Sequence, residues 1–192
     1  MSRRRFILAS ASPRRSELLR SAGVEFDLLT SDVEEVEGGH LVGRELAQLN
    51  AYRKSRAVAK KHPNAVVLGA DTVVCLGARI FGKPRDMRGA RAMLRELSGE
   101  THEVVSGCCL IHVDSNRYEI FYESTLVTFR QLGRKQIQDY LESIQPLDKA
   151  GAYAIQDHGE AIVESVHGSL TNVVGLPLAA VLRRLPEFGV RV

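Results

Sequence analysis

The chain has no tryptophan, and only three cysteines in 192 residues. Each shortage excludes something. Aromatic residues make up 6%, too few to interleave with basic side chains as a single-strand nucleic-acid platform requires, so nucleic acid is not expected as a partner. Cys75, Cys108 and Cys109 show no Cys-x-x-Cys spacing, and the adjacent pair would point to opposite faces of a strand. No disulfide framework is expected, and the reading is a reducing, cytoplasmic location. Six histidines without an H-x-x-x-H pair give little case for zinc. No apolar run approaches the ~20 residues of a membrane span. The stretch 6–11 follows arginines as in a signal peptide but soon meets Pro13-Arg14-Arg15. G-x-S-x-G and G-x-G-x-x-G are absent, which argues against a hydrolase nucleophile elbow and a Rossmann site. Residues 77–84 match G-x-x-x-x-G-K, but Pro84 stands where a P-loop needs serine or threonine.

What is present is ordinary for a soluble globular chain, with 44% apolar and 26% charged residues. The length suits one domain spanning 1–192. Net charge is only +3, but it is unevenly spread. Arg3, Arg4, Arg5, Arg14, Arg15 and Arg20 crowd the amino terminus, and Glu25, Asp27, Asp32, Glu34, Glu35 and Glu37 follow. Cations beside carboxylates suit a metal-bound polyphosphate; two oppositely charged solvated faces are the plainer alternative.

The periodicities predict a mixed α/β protein. Residues 6–9 and 26–30 read as short strands, 65–75 as a central strand, and 101–113 with 118–130 as an antiparallel hairpin. One helix begins at Pro13 and stops at Gly23, a long one covers 42–61, and apolar residues at i, i+3, i+4, i+7 mark helices over 90–97, 137–144 and 178–185. The acidic stretch 31–39 is a loop.

Three places carry chemistry. Where the first strand hands over to the first helix, Ser12 is placed as N-cap before Pro13, and Ser10, Ser12, Arg14, Arg15 and the helix amides would converge on an anion such as phosphate. Asp71 sits in an apolar strand, where a buried carboxylate needs a cation, a metal or a water. Glu123 alternates with Phe121, Thr125, Val127 and Phe129 on a mostly apolar strand face and raises the same question. Lys83 is a point charge suited to phosphate. Carboxylates without histidine or cysteine clusters indicate magnesium or manganese.

Taken in order, SASPRRSELL, Val33-Glu34-Glu35, Lys54 in AYRKSRAVA, GADT, GKP, LDKAGAYAIQ and GSLTNVVGLP closely resemble the Maf family of nucleoside triphosphate pyrophosphatases. The resemblance implies an elongated twisted sheet flanked by helices, two lobes with a central cleft, a fold related to the inosine triphosphate pyrophosphatases, and a homodimer. It implies hydrolysis of a nucleoside triphosphate to monophosphate and pyrophosphate with a divalent cation, Mg²⁺, Mn²⁺ or Co²⁺. By motif position Asp71 is the catalytic residue; Ser10, Arg14, Arg15, Lys54 and Lys83 contact phosphate; and Glu34, Glu35, Asp71 and Glu123 are the acidic, metal-binding partners. Thr72 and Gln156 resemble the branch that acts on dTTP and UTP, and a glutamine amide complements the O4 and N3–H edge of uracil or thymine.

The chain departs from the family pattern at Gln145, where glutamate is common, at Asp157-His158 after Gln156, and at Leu170. These bear on the base pocket more than on the phosphates. An aspartate beside magnesium or lysine is a poor base near neutral pH, so base and metal ligand stay open as roles for Asp71. A nucleotide-binding regulator of cell division without turnover is the alternative function.

Overall fold

In the structure, a computed structural model that describes residues 4–192, seven strands form one mixed sheet. Arg3 lies outside the described residues. The elements are β1 (Phe6–Ala9), α1 (Pro13–Ser21), β2 (Asp27–Leu28), α2 (Gly43–Ala59), β3 (Val66–Leu76), β4 (Arg79–Phe81), α3 (Met87–Leu97), β5 (Thr101–His112), β6 (Arg117–Phe129), α4 (Arg134–Ser143), β7 (Val163–His167), α5 (Leu170–Val174) and α6 (Leu178–Arg184). Strand order is β2-β1-β3-β5-β6-β7, with β4 also on β3. The first three run parallel, and β4 to β7 join antiparallel.

The expected strands and helices all form, and 77–84 is a hairpin turn, a short strand and a loop rather than a P-loop. β4, β7 and α5 were not anticipated, because segments this short carry too few residues to show a period. Helix α1 begins at Pro13 with Ser12 in the cap position, but the Ser12 hydroxyl makes no capping bond. Its amide instead donates to Ser10 Oγ at 3.2 Å, which folds the turn inward. At the other end Gly23, at φ +75°, closes the helix, with Val24 N–H donating to Leu19 O and Gly23 N–H to Arg20 O.

Two glycines set how closely α2 lies on the sheet. A Cβ on Gly69 would stand 2.3 Å from Ala51 O, and one on Gly107 would stand 2.3 Å from the Ala47 carbonyl carbon. Gly107 is the β5 partner of Asp71. The missing side chains therefore let the α2 backbone press onto β3 and β5 beside that carboxylate.

On the opposite face of the sheet the apolar residues divide. Leu8, Leu68, Cys108 and Phe121 pack with Leu19, Val181, Leu185 and Phe188 from α1 and the carboxy-terminal segment. Val74, Val104, Val127 and Phe129 pack with Leu94, Ile137, Leu141 and Tyr153. These two cores are the lobes. Cys108 and Cys109 fall in different clusters on opposite faces, as strand alternation requires, and all three cysteines are free and buried.

The strand edges explain where the cleft opens. β1 pairs with β3 only as far as Gly69, and β4 begins pairing at Val74. Over 70–73 that edge of β3 has no strand neighbour, so Asp71 and Thr72, on opposite faces, both reach the gap.

Candidate active site

The gap in the sheet edge opens into a cavity of about 750 Å³ between the lobes. Ser10, Ser12, Arg14, Arg15, Glu35, Lys54, Asp71, Thr72, Lys83 and Gln156 all line it. The amino-terminal arginine hook and the acid on the inner strand thus share one hollow. The other clustered arginines are engaged elsewhere: Arg4 binds the Phe188 carbonyl, Arg5 pairs with Asp27 at 2.6 Å, and Arg20 lies over the Phe26 ring. Of the five that are described, only Arg14 and Arg15 turn to the cleft.

Asp71 finds its partner in a lysine. Lys54 Nζ donates to Asp71 Oδ1 at 2.7 Å and to Glu35 Oε1 at 2.6 Å, so one ammonium holds two carboxylates. Asn50, one helical turn before Lys54 on α2, donates from Nδ2 to Asp71 Oδ2 at 3.2 Å. Its amide also bonds both the N–H and the carbonyl of Val36, which ties the acidic loop to the helix. Burial pushes the Glu35 carboxyl up, but the hydrogen bond and charge of Lys54, with Lys83 and Arg15 adding to it, leave it below its ordinary value. Lys83 stands 3.8 Å from Glu35.

The two adjacent arginines differ in kind. Arg15 is buried, and its guanidinium donates to Gly175 O (2.8 Å), Ser10 Oγ (3.2 Å), Ala70 O (2.9 Å) and Thr72 Oγ1 (3.1 Å). Four of the five N–H groups are thereby engaged, and Ala70 O is one of the strand-edge carbonyls left without a strand partner. Burial lowers the Arg15 pKa, against the charge of Asp71, which raises it. Arg14 is more exposed and reaches Asp148 at 3.6 Å, across the cleft mouth.

The structure does not bring Glu34 or Glu123 to this set. Glu34 is exposed and is not among the cavity walls. Glu123 lies opposite Ser106, which in turn lies opposite Thr72, so Glu123 is on the Thr72 face, two strands from β3, while Asp71 points to the other face. Register separates the two acids that the family resemblance had implied as metal-binding partners.

Among the described residues no three His, Cys, Asp or Glu side chains form a group that could enclose a metal ion. Glu35 and Asp71, either side of one cation, nevertheless fit Mg²⁺, which takes one or two carboxylates and completes its shell with waters and substrate phosphates.

Part of the remaining wall is apolar. Val74, Val104, Tyr153, Ile155 and Val173 come from one apolar cluster and line the cavity with exposed Gln156 beside them. Lys149 is buried and donates to Gln145 O at 2.7 Å and Asp148 Oδ1 at 2.8 Å, with Asp157 at 3.8 Å. Gln145 serves there through its main chain, so the departure at this position leaves that contact intact; Leu170 is exposed at the start of α5. Sequence reading missed Asn50, Lys149, Ser106 and Asn172. Asn50 carried a signal in its four-residue spacing from Lys54, and Lys149 and Asn172 lay within the LDKAGAYAIQ and GSLTNVVGLP motifs.

Residues 5–188 match the family model described as Maf-like protein. The chain belongs to the Maf family. Among its relatives, the dTTP/UTP pyrophosphatase of Bacillus cytotoxicus is 44% identical over 185 residues, 96% of each chain, and that of Bacillus mycoides 46% identical over the same length and coverage. The dTTP/UTP pyrophosphatase of Bacillus anthracis is 44% identical over 189 residues, 98% of each chain. Among solved structures, a dITP/XTP pyrophosphatase of Mycobacterium abscessus superposes with a TM-score of 0.45 at 17% identity, covering 67% of this Maf chain and 75% of the other. No described helix is long and apolar enough to cross a membrane.

Proposed function

We propose that this Maf protein hydrolyses dTTP and UTP to the nucleoside monophosphate and pyrophosphate, a housekeeping role in the nucleotide pool. The observation that carries this reading is the two-walled cavity: Arg14, Lys54, Lys83, Glu35 and Asp71 meet a wall of Val74, Val104, Tyr153 and Val173. A polyanion suits the first set and a flat apolar base the second. The names of the relatives point the same way.

Lys54, Lys83 and Arg14 neutralise charge on the phosphates and on the departing pyrophosphate, where positioning and electrostatics do most of the work of phosphoryl transfer. Lys54 and Asn50 each take one lone pair of the Asp71 carboxylate, which fixes its plane and leaves the others to orient the attacking water or hold a cation. Glu35 and Asp71 would hold a divalent cation, which when bound supplies Lewis-acid stabilisation to the phosphoryl oxygens. Gln156 offers its amide to the base edge. The homodimer implied by family resemblance is assigned to the outer face of β6, where Tyr118, Ile120, Tyr122 and Leu126 form an exposed apolar row; a monomeric mass by sedimentation overturns that assignment.

The test is a panel of common and modified nucleotides with Mg²⁺, Mn²⁺ or Co²⁺, reading monophosphate and pyrophosphate together. Equal release of both from dTTP and UTP is expected. Tight binding without release overturns the enzymatic reading in favour of a nucleotide-binding regulator.

A further inference from the structure

From half-buried Thr72 in the cavity wall, a chain of hydroxyls that the chemistry described above does not use leads inward. Thr72 Oγ1 and Ser106 Oγ are 2.8 Å apart, and Ser106, fully buried on β5, also reaches the Asn172 carbonyl at 3.1 Å. Thr72 further accepts from Arg15 Nη2 at 3.1 Å and lies 3.3 Å from Gly175 O. Asn172 is itself fully buried, its Nδ2 donating to Val104 O at 2.9 Å and to Thr125 Oγ1 at 3.0 Å.

Each hydroxyl has one proton, and carbonyls only accept. If Ser106 donates to Asn172 O, Thr72 donates to Ser106. If Ser106 donates to Thr72, then Thr72 donates to Gly175 O. In both arrangements the Thr72 proton is spent inside the protein. The first uses the shorter contacts and leaves Thr72 one free lone pair.

We propose that Ser106 is a positioning residue that turns Thr72 into a hydrogen-bond acceptor in the cleft, so that Thr72 receives a sugar hydroxyl of the nucleotide and not a phosphate oxygen. This rests on the nucleotide reading above. Phosphate oxygens bring no proton at neutral pH, whereas the 3′-hydroxyl shared by dTTP and UTP does. Thr72 adjoins Asp71 on one side and the apolar wall on the other, and the sugar joins the phosphates to the base.

The test compares wild type, Thr72→Val, Ser106→Ala and the double variant on dTTP and on its 3′-deoxy analogue, with inorganic tripolyphosphate as a competing inhibitor. Wild type should prefer dTTP over the analogue by about tenfold in kcat/KM, a typical worth for one hydrogen bond. Thr72→Val should abolish that preference and leave tripolyphosphate inhibition unchanged, since Arg15 keeps three of its four bonds. Ser106→Ala should reduce the preference about threefold and add nothing in the Thr72→Val background, because it acts through the lost hydroxyl; Thr72→Ser should restore it. Weaker tripolyphosphate inhibition in Thr72→Val makes Thr72 a phosphate ligand and overturns the proposal. So does equal loss on dTTP and its 3′-deoxy analogue, or additive loss in the double variant, which marks Ser106 as merely structural. If wild type releases no pyrophosphate, the nucleotide reading fails first, a result distinct from all of these.

Discussion

The two faces of β3 at residues 71 and 72 handle polarity in opposite ways. On the Asp71 face, formal charges meet at an opening: one lysine is shared by two carboxylates, and Arg14, Lys83 and Glu35 stand partly in solvent. On the Thr72 face, apart from the buried Arg15 guanidinium, the polar groups are hydroxyls and an amide that bond one another and main-chain carbonyls, with Asn172 Oδ1 left unpaired. The charges at the mouth of the Asp71 face, Arg14, Lys83 and Glu35, can rearrange, because solvent can stand in for their pairs. The Thr72 face cannot, because an unpaired buried polar atom costs about 1–3 kcal/mol. Charge that must follow a changing phosphate sits on the first, and fixed direction sits on the second.

Breaking the charged face should produce the largest effect. Asp71→Asn keeps the shape of the side chain but removes the charge that Lys54 and a cation meet. Pyrophosphate release should fall about 10³-fold, with the denaturation midpoint little changed. Near-normal turnover would remove Asp71 from the chemistry.

The neutral region should fail by acid instead. His102, in contact with Tyr153 and Phe129, is buried and has its pKa lowered from 6.5 to about 4 by desolvation. The unfolded chain takes up a proton from pH 6.5 downward, which the folded chain refuses until about 4. Its neutral form therefore contributes in full above that window, and stability falls as pH drops through it, by about 3 kcal/mol in total. Urea unfolding at pH 7 and pH 4.5 checks this, and in a His102→Gln variant that part of the acid sensitivity should disappear.

Gly107→Ala tests how the faces are held together. Its Cβ meets α2 backbone at 2.3 Å, so the helix must lift, at a cost of about 2 kcal/mol, taking Asn50 and Lys54 away from Asp71. Thermal unfolding and turnover should decline together. The smallest effect sharpens the contrast between neighbouring arginines. Arg14→Ala, removing an accessible charge, should raise KM about tenfold without lowering stability, whereas Arg15→Ala should cost stability as well, having cross-linked α1, β3 and Gly175.

Much of this was legible in the chain. Apolar runs and helical spacing place β1, β3, the hairpin β5–β6 and the long helices, since burial on one face imposes a period on any element long enough to show it. An isolated carboxylate in the apolar run of β3 marks Asp71, because burial demands a partner. The separated motifs also mark the family.

Tertiary structure alone decided which groups meet. Strand register put Glu123 on the face away from Asp71 and set Ser106 beside Thr72, a matter of pairing across residues far apart in sequence. The unpaired stretch of the β3 edge, where β1 has ended and β4 has not begun, is likewise invisible along the chain. Periodicity records which face of its own element a residue occupies. It holds no record of which residue lies opposite on another strand, and at this site that pairing separates a partner from a bystander.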